Sequence, residues 1–469
     1  MNLIKLLIRQ RRFIIKNSTN FIMLQEKKPT DINHAPAPNQ KSNDIERLAE
    51  GDQNFDYTEF TNKSEEYYLK WQDVNLRVLE TNVEKSKKGD KHPTKDILRN
   101  VSGYAKSGEC LAIMGGSGAG KSTLLNVLSD RIIINKDMVL EGEVKLNNRP
   151  FIWEEYKQTT GFVMQRDIFF QEQTVKEVFD FNVMMKSPHL SQKEKERKEK
   201  AMVEMLKLQK AEHNYIGGKF IKGISGGEKR RLNLGAELLS DPKILFLDEP
   251  TSGLDSYTSF IIIDNLRRLA RAKNMIIVYT IHQPSMEIAQ RFDNLMILHR
   301  GRVMYFGRYI DTVDYFAELG FSAPDTKNPI EFFIEVAVKG SGETAQLFFD
   351  RYDKQIKPMI NDVIDKVPNN TIKFDVKNAS FCRQFAVLSN RSFKNFLRNP
   401  TIFKAISIQT IILSVVFSLM YGGLEPINPS KPLSISNRIG AFFALSINLF
   451  NIYFEQTLII CKLSSYFRA

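Results

Sequence analysis

Apolar residues along this chain fall into three kinds of run. Cys110-Leu111-Ala112-Ile113-Met114 and Ile244-Leu245-Phe246-Leu247 are short and unbroken by polar residues, the pattern of a parallel strand covered on both faces. Met275-Ile276-Ile277-Val278-Tyr279-Thr280 and Leu295-Met296-Ile297-Leu298-His299 read as further strands, the latter turning at Arg300-Gly301 into Val303-Met304-Tyr305-Phe306. Segments such as Ser122-Thr123-Leu124-Leu125-Asn126-Val127-Leu128 have helical spacing. Strands alternating with helices predict an α/β fold.

The second kind of run is amphipathic. Over residues 380–398, Phe381, Phe385, Leu388, Phe393, Phe396 and Leu397 are interleaved with Arg383, Arg391, Lys394 and Arg398, which predicts a helix suited to a membrane surface. The third kind is long: residues 405–423 carry no charge and are mostly apolar. As a helix at about 1.5 Å per residue they reach just under the roughly 30 Å of a hydrocarbon core. Residues 439–454 are a weaker second span, interrupted by Asn448 and Asn451 and followed by Glu455. That carboxylate is costly in lipid, so it is expected at a bundle interior or near the interface. Arg391, Lys394, Arg398 and Lys404 precede the first span, and this basic flank favours a cytosolic N-terminal domain.

The length of 469 residues allows two to three domains, and the net charge of +12 invites a nucleic-acid partner. No recognisable nucleic-acid module supports that partner, and the lysines are spread between mixed-charge and juxtamembrane segments. Residues 192–200 alternate in sign, as a solvated helix surface does. Cys110, Cys382 and Cys461 lie far apart, with no metal spacing and no disulfide framework. Before Glu26 the chain carries Lys5, Arg9, Arg11, Arg12 and Lys16 and no acidic residue. Lacking a continuous apolar core, this is not a secretory signal; a plain cytosolic tail is favoured over a membrane-surface segment or a mitochondrial-type presequence. Residues 27–62, rich in Pro, Asn, Asp and Lys, read as disordered. The expected organisation is a tail over residues 1–65, a nucleotide-binding domain over 66–340, a mainly polar linker over 341–379, a connecting helix over 380–400, and part of a membrane domain over 402–469.

The candidate chemistry begins at Gly115-Gly116-Ser117-Gly118-Ala119-Gly120-Lys121-Ser122-Thr123. A strand before it and a helix after it give the context of a phosphate-binding loop. Glycines let the backbone wrap closely around phosphates, and the helix N-terminus supplies unpaired N–H groups and a partial positive charge. Lys121 would reach the β- and γ-phosphates and the Ser122 hydroxyl would ligate Mg²⁺. Downstream, Asp248-Glu249-Pro250 sits at the C-terminal end of a strand, where open α/β sheets bind ligands. Asp248 is placed to hold Mg²⁺ and Glu249 to polarise the attacking water.

Here the sequence resembles the nucleotide-binding domain of ATP-binding cassette (ABC) transporters. Gln165 in Gly161-Phe162-Val163-Met164-Gln165 matches that family's Q-loop glutamine, and Ser225-Gly226-Gly227-Glu228 matches its signature motif. Ser252-Gly253-Leu254-Asp255 matches the D-loop, and His282 in Thr280-Ile281-His282-Gln283-Pro284 matches the switch histidine. The resemblance implies that Gln165 contacts Mg²⁺, that His282 lies beside the γ-phosphate, and that Ser225, Gly226 and Gly227 cover the phosphate held by a partner's P-loop. Asp255 belongs to the same composite site. The strings Ile224-Ser225-Gly226-Gly227-Glu228-Lys229-Arg230-Arg231, Asp248-Glu249-Pro250-Thr251-Ser252-Gly253-Leu254-Asp255-Ser256 and Ile281-His282-Gln283-Pro284-Ser285 are similar to the G subfamily of half-transporters. Asn328-Pro329-Ile330-Glu331-Phe332-Phe333 resembles the element closing that domain, and the likeness covers about residues 66–467. In one respect the sequence departs from the family. Where many ABC domains stack adenine on an aromatic residue, the stretch Val74-Asn75-Leu76-Arg77-Val78 offers Leu76, with Tyr67, Tyr68 and Trp71 nearby, so no stacking residue is assigned.

The resemblance implies an ABC ATPase core with a helical subdomain and an antiparallel β part, followed by α-helical transmembrane segments. It implies an ATP-hydrolysing subunit of a multi-pass membrane half-transporter, working as a homo- or heterodimer with a second half-transporter subunit. Its cargo would be a lipid, sterol or other hydrophobic small molecule, with membrane lipid as a partner, ATP and Mg²⁺ as cofactors, and no nucleic acid. Two of an expected six spans are present, which reads as a C-terminally incomplete transporter. The alternative is a truncated, non-transporting ATPase that dimerises with or regulates full-length subunits. A soluble ABC ATPase of translation or DNA repair is disfavoured by the uncharged run and the connecting helix.

Overall fold

The computed structural model describes residues 66–79, 94–150, 153–218, 221–324, 327–340, 342–367 and 379–421, with isolated positions 440, 442, 443 and 446. The tail expected over residues 1–65, most of the second apolar stretch and Glu455 lie outside the described residues. In chain order the first half holds β1 (Tyr68–Leu79), β2 (Thr94–Lys106), β3 (Cys110–Gly115), α1 (Lys121–Leu128), β4 (Met138–Leu146), β5 (Arg149–Pro150), α2 (Trp153–Thr159), β6 (Thr160–Val163), α3 (Val175–Lys186) and α4 (Gln192–Met205). The second half holds α5 (Gly226–Leu238), β7 (Ile244–Leu247), α6 (Ser256–Lys273), β8 (Ile276–Thr280), α7 (Met286–Ala289), β9 (Asn294–His299), β10 (Arg302–Arg308), α8 (Thr312–Ala317), α9 (Pro329–Lys339), α10 (Gly342–Arg351), α11 (Lys357–Lys366), α12 (Phe381–Arg398) and α13 (Pro400–Tyr421).

Two sheets organise these elements. The larger has the order β10-β9-β3-β8-β7-β6, parallel except for the β9–β10 hairpin. Every residue of β3, β7 and β8 is buried, which is why these runs lack polar alternates. Burying each Leu or Ile side chain stabilises the fold by about 1.5–3 kcal/mol. The smaller sheet is antiparallel, with the order β2-β1-β4-β5. Because the larger sheet is covered on both faces, polar chemistry is expelled to the loops at its strand ends.

Helix starts are written in the local sequence. Thr174 with Glu177, Ser191 with Glu194 and Ser225 with Glu228 form reciprocal capping boxes on α3, α4 and α5. Most of the alternating-sign segment at residues 192–200 is exposed on α4, while Met202, Val203 and Met205 are buried.

Two expectations need correction or restriction. Residues 342–367, read as a polar linker, form α10, a π-helical turn at Tyr352–Ile356 and α11, packed on β10 and β2. Ala345, Phe348, Phe349, Tyr352, Ile360 and Ile364 are buried, and the Tyr352 hydroxyl donates to the Ser102 carbonyl at 3.0 Å. The polar average hid an amphipathic period of this kind. Pro358 has no N–H to give to the preceding turn, and the π-helical turn widens the helix where its ring would clash. The stretch expected to span a membrane falls on α13 as far as Tyr421, and its described side chains Ile408, Ile411, Ile412, Val415, Val416 and Leu419 are exposed. Among the described residues, no helix is long and apolar enough to cross a membrane.

On α12 the two faces differ as the sequence pattern requires. Phe381, Phe385, Phe393 and Leu397 are exposed. On the other side Arg391 lies 3.8 Å over the Phe181 ring, and Arg398 donates to Glu177 at 2.7 and 3.0 Å. α12 is therefore anchored to α3 through Arg391 and Arg398 and leaves Phe381, Phe385 and Phe393 uncovered.

One half-buried acid gives the fold a pH dependence. Burial, reinforced by a hydrogen bond and the charge of Asp180, pushes the Glu199 carboxyl on α4 up to about 8, from an ordinary value of 4.5. The folded chain then holds a proton that the unfolded chain has released, so this site loses stability as pH rises from about 4.5 to about 8. Glu199→Gln is expected to flatten that fall and to melt at a higher temperature than the parent at pH 8. Identical pH slopes in thermal melts of the two proteins would contradict the assignment.

Candidate active site

The glycine-rich loop leaves β3 at Gly115, where the backbone runs against the next strand. A Cβ on Gly115 would lie 2.2 Å from the Leu298 carbonyl oxygen. Gly120 closes the loop in the left-handed region, at φ 98°, and is the N-cap of α1 with no side-chain cap of its own. The first turn of α1 thus keeps N–H groups free for an anion. Lys121 is only 7 % exposed and folds back over the loop, donating to the carbonyls of Gly115 at 2.9 Å and Gly116 at 3.0 Å. Burial lowers its pKa, while the charges of Glu249 and Asp248 oppose that shift. The Lys121 Nζ is therefore already turned toward the backbone of the loop.

The acidic pair after β7 meets α1 and β8 at the same edge of the sheet. Ser122 Oγ donates to Asp248 Oδ1 at 2.9 Å, and Thr280 Oγ1 donates to the same oxygen at 2.6 Å. The Glu249 N–H donates to Thr280 Oγ1 at 2.9 Å. Gln165 Nε2, just beyond β6, donates to Glu249 Oε2 at 2.7 Å. Glu249 adopts the left-handed conformation, φ 48°, which turns its side chain away from the strand direction. Four strand ends thus gather Lys121, Ser122, Gln165, Asp248, Glu249 and Thr280 within hydrogen-bonding reach of one another or of the loop. The hydroxyl, carboxylate and amide oxygens of Ser122, Asp248 and Gln165 are hard donors of the kind that Mg²⁺ takes.

Among the described residues no hydrogen bond joins the side chains of the remaining motif residues to that cluster. Ser225 caps α5: its N–H donates to Glu228 at 2.7 Å, its hydroxyl donates to the same carboxylate at 2.8 Å, and Glu228 N–H returns a bond at 3.2 Å. Ser225 and Gly226 are exposed, and a Cβ on Gly226 would meet nothing within 4 Å. Asp255 caps α6 by accepting from the Thr258 N–H at 2.9 Å and hydroxyl at 2.7 Å, which lowers its pKa. Its loop reaches α5, because a Cβ on Gly227 would lie 3.4 Å from Leu254. His282 is exposed, just past β8. Its loop is tied to the start of α9, where Asn328 Nδ2 donates to the Pro284 carbonyl at 2.9 Å. Gly116 also faces α9, 3.4 Å from Val338 for a Cβ built there.

Two contributors were not singled out from sequence. Thr280 ends an apolar strand and is fully buried; a threonine in that run was the available signal. Arg230 is 4 % exposed and bonds to the carbonyls of Asp248, Glu249, Pro250 and Met164. It stands in a Lys-Arg-Arg run, but shares a helix face with Leu234 and Leu238, and that phase marks it as the inward cation. Tyr67, Trp71 and Leu76 are buried, so none offers a free face to a base.

Thr280→Val keeps the shape of the site but leaves the half-buried Glu249 N–H without its acceptor and removes one of the two hydroxyl donors to Asp248 Oδ1. The expected cost is about 1–3 kcal/mol of stability, measured by denaturant titration. A change below a few tenths would mean that the hydroxyl does not hold the acidic pair.

A family model described as "ABC transporter" matches residues 98–252, and two described as "ABC-2 type transporter" match residues 282–359 and 383–467. The chain is 36% identical over 335 residues to ABC transporter G family member 12 of Dictyostelium discoideum, covering 70% of this chain and 51% of that protein. It is 33% identical over 389 residues to the broad substrate specificity ATP-binding cassette transporter ABCG2 of Rattus norvegicus, covering 76% and 57%. It is 32% identical over 376 residues to Protein white of Drosophila melanogaster, covering 76% and 53%. The chain thus spans about half the length of the relatives it matches. With an ATP-binding ATPase domain and ABC-2 membrane segments in the family's order, the chain belongs to the ABC transporters, among the members of the G group.

Proposed function

We propose that this chain is the ATP-hydrolysing subunit of a membrane half-transporter, and that two ATPs are enclosed between it and a second such subunit. The observation that carries the reading is the division of the phosphate-binding parts within one chain. Lys121, Ser122, Asp248 and Glu249 form one cluster, whereas Ser225 and Gly226 present an exposed helix end with open space above it. Among the described residues no hydrogen bond joins Ser225, Gly226 or Gly227 to the loop at residues 115–120. The N-terminus of α5 offers N–H groups and a partial positive charge, so a phosphate seated in another subunit's loop is its natural partner.

In this mechanism Lys121 exchanges the carbonyls of Gly115 and Gly116 for phosphate oxygens. Ser122, Asp248 and Gln165 would hold Mg²⁺, which when bound would supply neutralisation of charge on the β- and γ-phosphates. Glu249 orients and polarises the attacking water, and Gln165, now bonded to it, fixes its carboxylate. His282 stands beside the γ-phosphate, and Asp255 sets the turn that meets the partner. ATP favours the closed dimer over the open one; that difference in affinity drives the membrane segments between two states. Two features support a membrane role: the exposed aromatic face of α12 and the match to ABC-2 segments. One relative is named for broad substrate specificity; the transported class proposed for this chain is a hydrophobic small molecule, lipid or sterol. The basic flank of the first span supports a cytosolic ATPase domain.

Glu249→Gln is expected to bind ATP normally and to lose turnover by about a hundredfold or more; ordinary hydrolysis by this variant would remove Glu249 as the base. Ser225→Arg tests the shared site. It should slow hydrolysis by dimers about tenfold or more while leaving the ATP affinity of a single subunit unchanged. Hydrolysis at the parent rate would contradict the enclosure of nucleotide between subunits.

A further inference from the structure

Arg230 makes more polar contacts than any motif residue of the site. From α5 its Nη2 donates to the carbonyls of Asp248 at 2.6 Å and Glu249 at 2.9 Å, and its Nε donates to that of Pro250 at 3.3 Å. Its Nη1 donates to the carbonyls of Met164 and, at 3.4 Å, Gln165, and pairs with Asp167 at 3.2 Å. Asp167 is held in turn by Asn233 of α5 at 2.7 Å. A buried cation is tolerated only when fully partnered. Here the partners are chosen from two segments: the one carrying Gln165 and the one carrying Asp248 and Glu249.

The geometry matters because of where each end of α5 leads. Ser225 begins the helix, and Arg230 follows within its second turn. A planar guanidinium with donors in fixed directions transmits displacement better than a single ammonium on a flexible stem. The Glu249 backbone is left-handed and its carbonyl is held by Arg230, so moving the guanidinium would reorient the residue that bears the base.

We propose that Arg230 is a positioning residue that couples the two ATP sites of the dimer. It makes the phosphate-covering end of α5 and the water-orienting groups of the same chain move as one body. The inference rests on the composite-site reading above, because only there do Ser225 and Glu249 of one chain serve different nucleotides. When the partner's ATP draws in Ser225, Arg230 carries that shift to Gln165 and Glu249 of its own site. Hydrolysis at one site then depends on occupancy of the other.

The test measures ATP turnover against ATP concentration for the full chain as a dimer, beside nucleotide affinity by fluorescent ATP analogue. The parent is expected to respond sigmoidally. Arg230→Met should keep nucleotide affinity within about twofold, turn over about tenfold slower, and respond with a Hill coefficient of about 1. Arg230→Lys, which keeps the charge but not the fork, should be slowed about three- to tenfold, and it carries the test if the methionine variant does not fold. A residue that merely stabilises the fold would lower the melting temperature and leave the Hill coefficient and the turnover per folded molecule unchanged; that result overturns the proposal. So does a parent Hill coefficient of 1. If Ser225→Arg silences hydrolysis while the Arg230 variants behave as the parent, the coupling role alone is lost. If Ser225→Arg hydrolyses normally, the composite site falls and the coupling falls with it.

Discussion

The larger sheet leaves no room for a charged side chain along β3, β7 or β8, and the rest of the molecule follows from that exclusion. Asp248 can exist only where the strand ends, and there it is held from two sides by the hydroxyls of Ser122 and Thr280. Those two bonds join the start of α1, after the glycine-rich loop, to the central strands. They fix the carboxylate before any nucleotide arrives, so binding need not pay to order it. Glu249, Gln165 and Lys121 take their places relative to this point, each satisfied by a partner that nucleotide, metal or water would replace. The site is preorganised by internal bonds of the same chemical type as those it would make to substrate.

A second constraint is that α5 begins at an exposed turn and continues into the core. Its capping box satisfies Ser225 locally, yet the glycines that follow leave the helix end open. The same helix carries Arg230 beneath the acidic pair. Surface recognition and interior chemistry therefore share one rigid element. On the outer side, α12 repeats the arrangement at larger scale, with cations bonded to α3 and aromatic residues left uncovered. Among the described residues two faces are thus left without a partner, one suited to an anion and one to an apolar phase.

Most of this was legible because it rests on local rules. Unbroken apolar runs located β3, β7, β8 and β9, and the spacing of Gly115, Gly120, Lys121 and Ser122 located the glycine-rich turn between β3 and α1. The helical character of residues 342–367 was missed because charge outweighs the apolar period there, although Phe348, Tyr352, Ile360 and Ile364 lie on the buried side. Thr280 and Arg230 were missed for a different reason. Their importance lies in bonds to residues far away in sequence, and neither a threonine ending a strand nor one arginine in a basic run signals that. The adenine contact was left open for a similar reason, and burial removes Tyr67, Trp71 and Leu76 from the residues that local pattern offered, leaving Tyr68 half-buried.

The central claim is that the turn at Ser225 meets the phosphate loop of a second subunit. Site-directed cross-linking tests it most directly. Ser225→Cys and Ser117→Cys would be introduced on separate chains, with Cys382 and Cys461 replaced by serine. The account predicts a disulfide between the two chains that forms with ATP and Mg²⁺ and fades without nucleotide. A saturating nucleotide load that produces no link between the chains would contradict it.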